Sequence, residues 1–336
     1  MKKYSKNIIS LLLADIIWGG GFVAQRLGGD AVGAYSFNAL RSFLGCLVLI
    51  PVILIMRGSK RRRNYTEAAI DIGISAEPME NSTNPHSEKK TLWLGGVICG
   101  TALFLASNLQ QLGITLGGSI GKAGFLTACY IILVPIFGLF LKKKCGWNVG
   151  LGVAMALVGL YLLCMTDGNL ALTAPDLLLL GCAVAFAIQI LAINYFAPMV
   201  DSVKLSCLEF LVCGIETMIP TYFVDMGHSV SGFSTWLTSL GSSAAIGSIL
   251  YAGILSCGVA YTLQIVGEKN FNPTVASLFM SLESVASVLC GWIFLHETMT
   301  GREAAGCVVL FLAVIVAQLP VGSLIAQAKK RKGQEG

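Results

Sequence analysis

The sequence predicts an all-α membrane protein with ten transmembrane helices in a five-plus-five inverted repeat. Three observations lead there. Only 12% of the 336 residues are charged and 55% are apolar, with a mean hydropathy of +0.75. A soluble domain carries about 25% charged residues, so this chain lacks the charge to cover a water-facing surface. The apolar residues gather into ten runs of roughly the 20 residues that one helix needs to cross the hydrocarbon core. Finally, the second half of the chain matches the first in a shared register.

The runs lie near 8–27, 34–56, 91–113, 119–141 and 147–165, then near 173–194, 204–225, 245–267, 273–295 and 303–323. They are continuous rather than alternating, which excludes a spanning β-barrel. Pro51, Pro135 and Pro220 fall inside them, where neighbouring helices can satisfy the freed backbone groups. The first run follows Lys2, Lys3 and Lys6 in the manner of a signal peptide. Asp15 interrupts it and no small-residue cleavage site follows, so it reads as a retained span. Eleven scattered cysteines, with no C-x-x-C pair, act as small hydrophobes rather than as disulfides or a metal site.

Alternating the sides of ten spans gathers the basic residues. Lys2, Lys3, Lys6, Arg57, Lys60 to Arg63, Lys89 and Lys90 share a side with Lys142 to Lys144, Lys204, Lys269 and Lys329 to Lys332. Of the 23 Lys and Arg residues, only Arg26, Arg41, Lys122 and Arg302 fall elsewhere. The positive-inside rule makes the crowded side cytoplasmic and puts both termini there, in the cell membrane. The net charge of +5 is thus a topology signal and implies no nucleic-acid partner. Residues 57–90, with Arg61-Arg62-Arg63 at their start, read as a flexible cytoplasmic insert near anionic headgroups. Residues 324–336 read as a basic cytoplasmic tail.

The repeat divides the chain into 6–168 and 172–323. Trp18-Gly19 lies over Phe186-Ala187, and at the same offset Leu40-Arg41 lies over Leu208-Glu209. After the 57–90 insert the offset changes once: Ala106, Leu109, Gln110 and Gly113 lie over Ala260, Leu263, Gln264 and Gly267. That second register also matches Phe125 to Phe279 and Gly152 to Gly306. Five spans is an odd number, so the second half enters the membrane from the opposite side. Such repeats frame substrate sites near the midplane of secondary transporters.

Trp18-Gly19-Gly20-Gly21-Phe22-Val23-Ala24 and then Ala39-Leu40-Arg41 resemble the opening of EamA-type members of the drug/metabolite transporter superfamily. Ala276-Ser277-Leu278 through Glu283-Ser284-Val285, followed by Leu295-His296-Glu297-Thr298, is similar to that family's second-half pattern. Ser284 departs from it where proline is frequent, and Lys143 departs where the first copy often has an acid. The resemblance covers nearly the whole chain, in two copies. It implies ten helices around a central cavity and transport of small metabolites or drugs without ATP.

Ionisable residues inside spans are costly and mark functional sites by default. Asp15 opens a helical face with Trp18, Phe22 and Gln25, and an acid beside aromatics suits a cation or a protonatable carrier site. The alternative is a tryptophan packing seam with Asp15 hydrated near the interface. Arg41 lies about 10 Å from Asp15 along the membrane normal at 1.5 Å rise per residue, which disfavours a direct pair. It is expected instead to bond backbone carbonyls in helix packing or at an outer gate. Glu209 and Glu216 are two turns apart and share a face. Glu283, at mid-span, is the leading candidate for a coupling or substrate-contacting acid, and Glu216 is second; structural ion pairing is the other reading of each. Asn108, Gln110, Gln264, Tyr130 and Tyr261 offer the few polar groups that orient a ligand in an apolar pocket, or they bond helix to helix.

These features point to secondary transport of a small organic solute by alternating access. The protein would act as a monomer or homodimer in the lipid bilayer, with protons as the candidate coupling ion and no cofactor or metal. A membrane-embedded enzyme is the rival class. The sequence has no P-loop or H-E-x-x-H, and His86, His228 and His296 fall in loops or at a span end. A channel is the third class, but no ring of filter residues is readable.

Overall fold

The structure, a computed structural model, describes residues 5–70, 85–116, 120–141, 146–165, 173–269, 271–294 and 300–318. Among these residues all regular elements are helices. The chain begins with α1 (Ser5–Gly19) and α2 (Gly21–Val32), then α3 (Ala34–Ile70), α4 (Pro85–Thr115), α5 (Ile120–Ala128), α6 (Tyr130–Phe140) and α7 (Trp147–Cys164). It continues with α8 (Ala174–Phe196), α9 (Ser202–Pro220), a π-helical turn at Thr221–Asp225, and the short α10 (Val230–Ser239). Next, α11 (Ser243–Leu250) runs through a π-helical stretch, Tyr251–Tyr261, into α12 (Thr262–Glu268). The last elements are α13 (Pro273–Met280), α14 (Glu283–Phe294) and α15 (Gly301–Gln318).

Six of these stretches are long and apolar enough to cross a membrane, and the bent pair α1–α2 makes a seventh. Two local differences from the sequence expectation have physical causes. The first apolar run is not one straight helix: α1 and α2 meet at 42°. Gly20 sits at the bend, where the Tyr251 hydroxyl donates a 2.6 Å hydrogen bond to the Ile17 carbonyl. A Cβ on Gly20 would lie 2.6 Å from that hydroxyl, so the inserted donor needs the glycine and satisfies the carbonyl that the kink frees. Also, α3 continues past the predicted end of its run to Ile70, so the start of the 57–90 insert is helical rather than a flexible linker. The middle of that insert, the 295–299 part of the second-half pattern and the 324–336 tail lie outside the described residues.

Helix starts follow local chemistry. Asp201 caps α9 by accepting from the amides of Val203 and Lys204, and Asn272 caps α13 from Thr274 and Val275 with Pro273 as the first helical residue. Thr173 with Asp176 and Thr300 with Glu303 are threonine–acid pairs that hold the starts of α8 and α15. Each satisfies amides that the first turn leaves open. The outer surface is apolar as well as the core. Leu47, Leu54, Ile55, Leu139, Phe140 and Val308 face outward, whereas Asn38, Gln189, Glu209 and Glu268 are buried.

Glycines set the closest helix approaches, and these recur in the register read from the sequence. Gly113 of α4 packs on Leu179 and the Pro175 carbonyl of α8; Gly267 of α12 packs on Leu11 and the Asn7 carbonyl of α1. Leu11 and Leu179 stand at the offset of Trp18 and Phe186, and the two glycines at the offset of Gln110 and Gln264. Between α7 and α15, Gly306 meets Gly159 and Leu163 while Gly152 meets Ala313 and Ala317, again one for one. Small residues at such seams let backbones approach, the main route to tight packing where the solvent is itself apolar.

A methyl group added at Gly159 or Gly306 comes within 3.0 Å of backbone on the facing helix, whereas at Gly150 it meets nothing within 4 Å. Gly159→Ala and Gly306→Ala are therefore expected to destabilise the protein by about 1–3 kcal/mol through overpacking. Gly150→Ala leaves stability unchanged or slightly raised. Thermal unfolding in detergent, followed by size-exclusion chromatography, checks the contrast.

Candidate functional site

The interruptions of the helices converge on one place. The bend at Gly20 separates Trp18 on α1 from Gln25 on α2. The break at Cys129 separates Thr127 on α5 from Tyr130 on α6, and the break at Ser281–Leu282 separates Met280 on α13 from Glu283 on α14. In the second register Ser281–Leu282 lies over 127–128, so the two breaks fall within two residues of each other. All six flanking residues line a single cavity, in which about 40 Å³ is open to the centre of a water-sized sphere. The π-helical stretch and α12 complete its wall with Ser256, Tyr261 and Gln264, while Arg41 comes from α3, Gln110 from α4 and Phe186 from α8.

The cavity combines aromatic faces with a few polar groups of both signs. The Trp18 and Tyr261 rings meet edge to face at 4.9 Å, Phe210 backs Tyr261 at 5.2 Å, and Tyr130 meets Phe186 at 6.3 Å. Such contacts lock ring orientation and are worth about 0.5–1.5 kcal/mol each beyond area burial. Gln25 donates to Gln110 at 3.3 Å and Gln110 to Thr127 at 3.5 Å, forming a polar chain along one wall. Arg41 is 4% exposed, and its guanidinium lies 5.4 Å from the centre of the Phe37 ring, one turn away on its own helix. It makes no hydrogen bond or ion pair with the described residues. The expected anchoring to backbone carbonyls is therefore absent, and the cation is held by an aromatic face instead. The one ion pair between described residues is Arg26–Asp30, at 3.3 Å on α2.

Seven sequence candidates thus meet in the cavity: Trp18, Arg41, Gln110, Tyr130, Tyr261, Gln264 and Glu283. The other four lie elsewhere. Asp15 is 2% exposed, on the helix α1 that packs on α14, and neither carboxylate oxygen has a hydrogen-bond partner among the described residues. The hydrated-interface reading of Asp15 does not hold. Asn108 is a strut between three helices: it donates to Thr217 at 3.0 Å and to the Phe104 carbonyl, and accepts from Asn38 at 3.1 Å. Glu216 accepts from Thr101 at 2.7 Å at the α4–α9 contact, away from the cavity. Glu209 is fully buried and accepts from Gln189 at 2.7 Å.

Sequence reasoning missed several residues here. Thr127, Phe186, Ser256 and Met280 line the cavity, but none stands out in a run of similar residues. Glu268 falls just past the 245–267 run, yet it is fully buried and accepts from Gln264 at 2.8 Å. The readable signal was the four-residue spacing of Gln264 and Glu268, which puts both on one helix face.

A model of the EamA-like transporter family matches the chain twice, over residues 5–165 and 173–318. The protein belongs to the EamA-like transporter family. This EamA protein is 23% identical over 314 residues to an uncharacterized transporter of Archaeoglobus fulgidus, covering 93% of this chain and 86% of that one. It is 19% identical to the uncharacterized transporter YoaV of Bacillus subtilis, over 93% and 96% of the two chains. A WAT1-related protein of Arabidopsis thaliana is 24% identical over 70% of this chain and 71% of its own. One solved crystal structure shares the fold, with a TM-score of 0.71 and 18% identity over 95% of this chain and 99% of that one. The chain is thus a multi-pass membrane transporter within the drug/metabolite transporter superfamily, and its surroundings are lipid.

The strut role of Asn108 generates a prediction. Asn108→Ala removes the bonds to Thr217 and Asn38, which keep only their bonds to the Cys213 and Ser107 carbonyls, and at roughly 0.5–1.5 kcal/mol per bond is expected to cost about 1–3 kcal/mol of stability. Ligand affinity in the folded fraction stays unchanged, because Asn108 does not line the cavity. Thermal unfolding together with a ligand-binding isotherm separates the two effects.

Proposed function

We propose that this EamA transporter is a secondary carrier that moves a small organic metabolite or drug across the cell membrane by alternating access. Its ten spans form two inverted five-span halves, 6–168 and 172–323, with both termini cytoplasmic on the strength of the basic-residue distribution. The observation that carries this reading is the cavity at matching breaks of two helices, one from each EamA segment. Discontinuous helices at a repeat interface are how secondary transporters build a midplane site, since unwound backbone is tolerated there only beside protein or a cavity.

The cavity chemistry fits an organic solute with a polar end. The rings of Trp18, Tyr130, Phe186 and Tyr261 receive its apolar body. Arg41 offers an unpaired guanidinium to an anionic group, and Gln25, Gln110 and Gln264 fix orientation by hydrogen bonding. Glu283, in the first turn of α14 and at the cavity wall, is the substrate-contacting or proton-coupling acid. Asp15, on the facing helix α1, is its neighbour in that role.

Purified protein in liposomes is expected to show saturable flux and counterflow of a solute found by thermal-shift screening, because ligands that bind the folded state raise its apparent stability. Linear, channel-like conductance sinks the carrier reading. Glu283→Gln is expected to abolish pH-driven uptake, and unchanged pH-driven uptake removes Glu283 from the coupling role. For an anionic solute, Arg41→Ala should raise the half-saturation concentration about 10- to 100-fold, the loss of a charged hydrogen bond worth roughly 1.5–3 kcal/mol. Neutral solutes are affected much less.

A further inference from the structure

We propose that Glu209 and Glu268 form a second proton-binding site, outside the substrate cavity and connected to it through Gln264. This inference rests on the carrier reading only for its role in coupling; the site itself stands on the packing.

Glu209 on α9 and Glu268 on α12 are each 0% exposed. Two glutamines bridge them. Gln189 of α8 donates to Glu209 Oε1 at 2.7 Å, and Gln264 donates both to Gln189 Oε1 at 3.3 Å and to Glu268 Oε1 at 2.8 Å. The chain Glu209–Gln189–Gln264–Glu268 therefore runs through three helices, and only Gln264 reaches the cavity wall. Three buried oxygens in this group have no hydrogen-bond partner among the described residues: Glu209 Oε2, Glu268 Oε2 and Gln264 Oε1. Gln264 is itself 1% exposed, so its unused carbonyl is not turned to bulk water.

Neither acid forms an ion pair with a described residue. The ionisable groups around them are Cys99 on α4, Cys257 and Tyr261 on the π-helical stretch, and Tyr130 on α6. Arg41 on α3 acts on Cys257 and Tyr261, and Lys269 follows Glu268 at the end of α12. None neutralises the pair. Two unpaired carboxylates at this depth are strongly disfavoured, and the group keeps the simplest neutral form by holding protons.

The inventory of orphaned atoms fits that form. A proton taken from water makes an O–H bond at Oε2 of one glutamate, which turns an acceptor into a donor, and Gln264 Oε1 is an unused acceptor in the same cluster. Release returns the proton to water and restores the carboxylate. A metal cation fits less well. Both glutamine amide groups aim their N–H donors at the carboxylates, which leaves three oxygens where hard cations take six or more. Because the Gln264 amide also forms part of the cavity wall, a ligand that reorients it disturbs the proton's partner, which is the physical link between the two sites.

Infrared difference spectroscopy on the full chain in liposomes, taken between acidic and alkaline pH, tests this without a transported solute. The wild type is expected to show a protonated-carboxyl C=O band that is lost in Glu209→Gln/Glu268→Gln. The same band is kept in Glu283→Gln and Asp15→Asn. The single substitutions Glu209→Gln and Glu268→Gln each reduce it and keep the double variant interpretable should it fold poorly. A spectrum unchanged by folded single variants overturns the proposal. A band that disappears when sodium replaces choline at fixed pH also overturns it, in favour of a metal cation. Absence of counterflow in the wild type with the band behaving as expected would instead reject the carrier reading and leave the proton site standing.

Discussion

The constraint on which this structure depends is that lipid offers no hydrogen bonds to the backbone. Each helix must close its own ladder, and any interruption must be served by protein. The interruptions therefore show where the molecule has organised itself for something other than crossing the membrane. At Gly20 the freed Ile17 carbonyl is taken by the Tyr251 hydroxyl, a side chain from the π-helical stretch of the other EamA segment. The breaks at Cys129 and Ser281–Leu282 lie beside the cavity. The same stretch that supplies Tyr251 also carries Ser256 and Tyr261 to the cavity wall, and π-helical geometry frequently marks functional positions. Bend, breaks and π-helix are one arrangement rather than separate irregularities.

Close packing makes that arrangement affordable in a solvent that gives helices no hydrophobic reason to associate. The glycine contacts between α7 and α15 bring two helices together away from the cavity. Matching contacts at Gly113 and Gly267 fix α4 on α8 and α12 on α1. Buried struts such as Asn38–Asn108–Thr217 then bind α3, α4 and α9 by hydrogen bonds that have no competitor in hydrocarbon. The rigid parts carry little charge. Glu283 sits at a helix break and Glu268 at the end of α12, whereas Arg41 and Glu209 lie within the unbroken helices α3 and α9.

Much of this was legible in the sequence because membrane burial writes strong patterns. Run lengths located the apolar helices, and the shared register of Gly113 with Gly267 and Gly152 with Gly306 anticipated which helix approaches correspond. Trp18, Tyr261 and Gln264 were readable as cavity groups because polar or amphipathic residues inside apolar runs are rare. Arg41 is expected at backbone carbonyls and instead lies over the Phe37 ring. The four-residue spacing from Phe37 was visible, yet nothing in one sequence says whether an arginine finds a ring or a carbonyl. Glu268 was hidden by its neighbour Lys269, which made the end of the run look interfacial. The cover over it is tertiary: Asn194 donates to the Glu268 carbonyl at 3.3 Å, and Asn7 donates to the carbonyls of Gly267 and Lys269 at 2.7 and 2.9 Å. Helix breaks such as that at Cys129 carry no glycine or proline at the break itself and left no local mark.

The two matched segments differ most where their charges are placed. Each presents a glutamine pair between its first and third apolar stretches: Gln25 with Gln110 in one, Gln189 with Gln264 in the other, both at 3.3 Å. Gln110 and Gln264 correspond in register, while Gln189 lies one helical turn from the position matching Gln25. The first pair ends at Thr127 in the cavity; the second ends at Glu209 and Glu268 in the interior. Likewise Arg41 occupies the place that Glu209 holds in the second segment. A duplicated frame has thus kept its hydrogen-bonding scaffold and divided its charges, with the unpaired cation in one half and the buried acid pair in the other. The asymmetric set of charges gives the two segments unlike electrostatic interiors on a common hydrogen-bonding frame, a buried cation over the Phe37 ring in one and two buried carboxyl groups held by glutamines in the other.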